Sequence, residues 1–175
     1  FTTLSSCASR QLEEVTFRRA TISVPELMAT AGKYFRKVYK GNKAHIDFKI
    51  QLLEGRITGD WNQLRFLLEN LIDEACSVTL DGAVCLSARE DGEFIRFLFT
   101  DMRREKTREE LNQLFYPDLS RMTAGEKGEL YGTEYLVCKQ IIRDHDEFAG
   151  RRGCRINAEP GKEGGFTIYF TLPKK

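Results

Sequence analysis

The sequence predicts an α+β two-layer sandwich, a mixed sheet covered on one face by about three helices. Two patterns predict it. Segments of helical period each carry a single apolar stripe, so each helix has one face to bury. Segments of period two come mostly in pairs joined by glycine-containing turns, as hairpins do. A chain of 175 residues favours one core and is long enough to build it.

Residues 6–19 read as a charged helix with a thin apolar stripe of Leu12, Val15 and Phe17. Residues 20–24 form a short extended piece before Pro25, whose fixed φ suits a first helical turn. Leu27, Ala31, Tyr34, Phe35 and Val38 then recur at helical spacing until Gly41 and Asn42 stop the run. Residues 45–53 alternate, placing Ile46, Phe48, Ile50 and Leu52 on one face of a half-buried strand. Gly55 turns the chain into a second short strand ending at Asp60.

Residues 61–78 are the most strongly patterned helix, with Leu64, Leu68, Leu71, Ile72 and Ala75 on its buried face. Residues 83–89 and 93–100 form a hairpin about Glu90, Asp91 and Gly92. Residues 107–115 make a short helix whose Thr107 and Glu110 stand in capping-box positions. A long connection with Gly125, Gly128 and Gly132 precedes a helix over residues 130–145. Strands over residues 154–158 and 166–172 close the chain.

Composition narrows the function classes. A net charge of +1 supplies no long-range field, so neither nucleic acid nor an anionic membrane surface is expected as a partner. No apolar run approaches the roughly 20 residues that cross a bilayer, and no signal-peptide pattern is present. Direct membrane insertion is therefore not expected, and a cytoplasmic location is. A chain that begins with Phe1 rather than Met is expected to be a piece of a longer protein. Cys7, Cys76, Cys85, Cys138 and Cys154 are scattered without a CxxC pair, which favours buried reduced thiols over a zinc site. His45 and His145 have no partner at metal-ligand spacing.

Three segments carry a family resemblance. The run from Asp60 to Ala75, with Asn70 and Glu74, resembles the N-box helix of sensor histidine kinases. Phe94 to Asp101 resembles the strand that ends in the G1-box aspartate, and Gly132 to His145 resembles the G2 box with its helix. Leu114, Phe115 and Tyr116 stand where the F-box of an ATP lid is expected, and residues 159–173 are similar to the family's last hairpin. The resemblance is collinear over residues 20–173. It implies a Bergerat-type ATPase fold for residues 20–175, with residues 1–19 the end of a dimerisation helix that lacks the phospho-accepting histidine.

The resemblance also implies a chemistry and partners. ATP and Mg are the expected cofactors, and the upstream dimerisation and sensor regions and a response regulator are the expected partners. Asn70, Asp101, Gly132 and Thr133 become the nucleotide-binding candidates, and Asn70 and Glu74 the candidates for a weak or vestigial Mg site. Asp101 would accept the adenine amino group, and the G2 helix would turn its positive end to the phosphates.

Much of the family pattern is changed. The magnesium-binding asparagine falls on Glu74 and the basic phosphate contact on Ser77. Arg103 and Glu105 replace two G1 glycines, Leu130 and Glu134 the outer G2 glycines, and Gly164 the hydroxyl that supports the adenine pocket. A gyrase-like register would instead make Asn70 the magnesium ligand, with Phe66 at the base position. Glu134 beside a triphosphate would repel it by roughly 1–4 kcal/mol. The expectation is a degenerate, pseudokinase-type module with weak or no nucleotide binding and none bound as purified. The alternative is an active Mg-ATP-dependent phosphotransferase with a rearranged site.

Plainer readings stand beside these. Asn70 can bond nearby backbone, Asp101 can pair with Arg103 or Arg104, and Arg103, Arg104, Arg151 and Arg152 can be solvated loop charges. His145 reads as a residue near a helix C-terminus. Residues 116–129 are expected to be poorly ordered or folded over the pocket.

Overall fold

The computed structural model describes residues 16–116 and 133–175. Residues 16–19 have no regular secondary structure, so the last four residues of the expected leading helix are not helical, and its remainder lies outside the described residues. So do Leu130, Gly132 and most of the expected lid.

The elements run β1 (Ala20–Ser23), α1 (Val24–Val38), β2 (Ile46–Gln51), β3 (Arg56–Gly59), α2 (Trp61–Cys76), β4 (Gly82–Asp91), β5 (Phe94–Asp101), α3 (Arg108–Phe115), α4 (Thr133–Phe148), β6 (Ile156–Pro160) and β7 (Phe166–Pro173). Five strands make one sheet in the order β2-β4-β5-β7-β6, with β2 parallel to β4 and the other pairs antiparallel. The mixed sheet and its helical layer are the architecture the sequence predicts.

One pairing differs. The strand after Gly55 does not fold back on β2; β3 pairs with β1 in a separate two-stranded sheet, Ala20 opposite Gly59. Leu52, expected on the buried face, is 57% exposed because β2 has already ended. Short strands without their own turn residues take partners that tertiary packing provides.

Local chemistry sets the helix ends. Ser23 caps α1, with Pro25 in its first turn. Asp60 caps α2, and Thr107 with Glu110 forms a full capping box on α3. Leu64, Leu68, Leu71, Ile72 and Ala75 are all buried, as the period of α2 requires. They pack on the sheet face that carries Leu86, Ile95, Phe97 and Phe170. Phe97 and Phe170 stack across β5 and β7 with centroids 5.0 Å apart, and both are fully buried. No helix among the described residues is long and apolar enough to cross a membrane.

Candidate nucleotide site

Strand β5 ends on Asp101 beneath the C-terminal end of α2, so the core alternation of β5 delivers this carboxylate to the helix side of the sheet. Asp101 is buried, and it is fully engaged. Oδ1 accepts from the Arg103 backbone N–H at 3.0 Å and from Arg103 Nε at 2.9 Å. Oδ2 accepts from Arg103 Nη2 at 2.9 Å and from Arg104 Nε at 3.1 Å. A carboxylate offers about four lone-pair sites, and these bonds take them.

Arg103 is therefore no solvated loop charge; its side chain is 1% exposed. Its Nη2 also donates to Ala75 O at 2.6 Å, and Nη1 to Leu80 O at 2.9 Å and Val78 O at 3.2 Å. Carbonyls at and just past the end of α2 lack helical partners, and a guanidinium satisfies them while complementing the helix dipole. The side chain reaches them by passing Gly82, where a Cβ would stand 2.7 Å from Arg103 Cγ. Arg104, 17% exposed, lies over the Phe166 ring at 5.4 Å.

These contacts set the ionisation. Burial pushes the Asp101 carboxyl up, but the Arg103 hydrogen bonds and the charges of Arg103 and Arg104 outweigh it and hold it below its ordinary value. Arg103 is raised, first by its hydrogen bond to Asp101.

The other candidates are less concentrated. Asn70 is buried and its Nδ2 donates to Phe66 O at 3.0 Å, the plain backbone-bonding role. Glu74 lies one turn further along α2, and Ser77, at the place of the basic contact, is exposed and donates to Glu74 O at 2.7 Å. Thr133 begins α4, and Gly132 lies outside the described residues. Glu105 ties the loop after β5 to the final hairpin, its Oε1 accepting from Gly165 N at 2.9 Å. Phe166 stands opposite Asp101 in β7, and the Thr100 and Thr167 hydroxyls, 2.8 Å apart, face the other side of the sheet. Clefts of about 390 and 550 Å³ exist on α4 with β6 and on the open sheet face, and neither is lined by Asn70 or Asp101.

His145 lies in the last turn of α4, near the helix C-terminus as its place in the sequence implies, and its ring is fully buried. The pairing of Asp101 with Arg103 and Arg104 is one of the plainer readings of the sequence, whereas this ring and the reach of Arg103 to the carbonyls at the end of α2 were not read from it. The signal for Arg103 was its place two residues after the aspartate, paired with Gly82 at the facing strand end.

The family described as histidine kinase-, DNA gyrase B- and HSP90-like ATPase matches residues 59–175, and the chain belongs to it. The adaptive-response sensory kinase SasA of Thermosynechococcus vestitus is 29% identical over 137 residues, 77% of this chain. The chain spans 34% of that relative's length. The nucleotide-free catalytic domain of histidine kinase ThkA superposes with a TM-score of 0.67 at 19% identity, covering 91% of this chain and 97% of that one. ThkA solved in complex with the response regulator TrrA gives 0.69 at 18% identity, covering 99% of this chain and 48% of that one. These likenesses show the fold of histidine kinase catalytic domains.

Proposed function

We infer that this chain is the ATPase-type domain of a sensor kinase-like signalling protein, kept as a pseudokinase module that does not hold Mg-ATP. The observation that carries this reading is the saturation of both Asp101 oxygens by Arg103 and Arg104. An adenine amino group would have to displace a buried guanidinium, and leaving such a charge unpaired costs about 3–5 kcal/mol. The Glu at position 74 supports it, since a carboxylate stands where the resemblance expects the magnesium-binding amide.

Its role is then to transmit conformation between the upstream dimerisation and sensor regions and a partner, on the cytoplasmic side. A response regulator fits as partner by analogy with ThkA, which was solved with one. Calorimetric titration of the chain with Mg-ATP tests the reading. Affinity weaker than about 1 mM is expected. Micromolar binding abolished by Asp101→Ala would overturn the pseudokinase reading.

A further inference from the structure

Helix α2 is tied at its first turn to residues that precede the first strand. The Asp60 carboxylate accepts on both sides: Oδ1 from the Gln63 amide at 3.2 Å, the N-cap bond, and Oδ2 from the Arg18 amide at 2.9 Å. The Asp60 amide donates to His145 Nε2 at 3.0 Å, and His145 Nδ1 lies 2.8 Å from Ile141 O. Because Nε2 accepts, the ring proton belongs on Nδ1, directed at Ile141. The Phe17 ring stands edge-on to His145, centroids 4.7 Å apart at 78°, and lies 5.8 Å from Phe148. A Cβ at Gly59 would come within 3.0 Å of the imidazole, so glycine there admits the ring. Asp60 is 4% exposed and His145 0%, so these polar groups have little water to fall back on.

We propose that Phe17, Arg18, Asp60 and His145 form a latch through which displacement of the segment before β1 loosens the first turn of α2. One planar carboxylate holds both the incoming chain and the helix cap. Moving Arg18 therefore shifts the acceptor of the Gln63 amide, and Phe17 holds the chain in place against the far end of α4. The loosened turn leads into the helix that carries Asn70 and Glu74. The latch is independent of whether nucleotide binds.

Amide exchange on the full chain tests it. Arg18→Pro removes the donor, and Phe17→Leu is a milder change that keeps an apolar group while losing the ring contact. In both, exchange at Gln63 and Leu64 should accelerate about tenfold or more, with Leu67 to Leu71 changed by less than about twofold. Unchanged exchange at Gln63, or equal acceleration along all of α2, would overturn the latch. Linkage requires the reverse effect. Asp60→Ser keeps a cap oxygen but not the second acceptor. It should speed tryptic cleavage after Arg18 and Arg19 about threefold or more relative to cleavage after Arg89, and an unchanged ratio would also overturn the proposal.

Discussion

Arg103 closes on Asp101 from two residues further along the chain, with Nε and Nη2 each 2.9 Å from a different carboxylate oxygen and both side chains 1% exposed. The same guanidinium bonds three carbonyls at and beyond the end of α2. A single side chain thus joins the sheet to the helix at the candidate site.

Removing one member of this pair strands the other. Asp101→Ala should destabilise the chain by about 3–5 kcal/mol, since Arg103 would remain buried without its counter-charge. Arg103→Leu with Asp101→Leu should lose clearly less than the sum of the single changes. Urea denaturation of the four proteins measures the coupling. Additive losses would show that the pair does not interact.

The pH dependence has a defined sign. The folded Asp101 carboxyl is held below its ordinary value of 3.8, so the unfolded chain takes up protons before the folded one does. The stabilisation is complete above about pH 5 and is lost as pH falls through 3.8 and on through the lower folded value. Thermal melts between about pH 6 and pH 3 should show this decline, and Asp101→Asn should flatten it. Burial also raises the Asp146 carboxyl, but bonds from Gly153, Arg152 and Cys154 outweigh it and lower it, so some slope should persist in that variant.

In the core, Phe97→Ala should cost about 3–5 kcal/mol, because a fully buried ring stacked on Phe170 leaves a cavity when removed. Phe97→Leu should cost appreciably less. Chemical denaturation midpoints at constant slope provide the comparison, and a loss under about 1 kcal/mol for the alanine would mean that the sheet does not pack as described.

Most of the fold was legible because it rests on periodicity. The buried face of α2, the alternation of β5 and the capping box at Thr107 are local signals, and each appears where its residues place it. The partner of β3 was not legible, since Arg56–Gly59 pairs with a strand more than thirty residues earlier. The sequence shows Arg103 and Glu105 where the resemblance expects glycines, but not where the Arg103 side chain goes. By type Arg103 reads as a solvated charge or a partner of Asp101, and the closeness of Gly82 together with the Ala75, Val78 and Leu80 carbonyls makes its burial favourable. His145 was hidden for the same reason: its partner, the Asp60 amide, lies 85 residues away.

The nucleotide prediction follows from the Arg103 geometry. The unmodified chain should bind Mg-ATP more weakly than about 1 mM, roughly −4 kcal/mol. Glu134→Gly, Leu130→Gly and Glu74→Asn together remove two negative charges and two long side chains from the positions that the resemblance assigns to the phosphates and magnesium. That triple variant should still bind poorly, because Arg103 keeps both Asp101 oxygens occupied. Adding Arg103→Gly removes the two guanidinium bonds and leaves only the backbone amide of residue 103 on Oδ1 and Arg104 on Oδ2. Each oxygen then has a lone pair open to an amino group, so binding should appear with ATP preferred over GTP, whose base presents a carbonyl there. The added change removes a buried ionic partner at about 3–5 kcal/mol, so circular dichroism must show each variant folded before its titration counts. Equal affinity of the triple and quadruple variants for ATP would remove Arg103 as the obstruction, and binding by the quadruple variant without base preference would remove Asp101 as the reader of adenine.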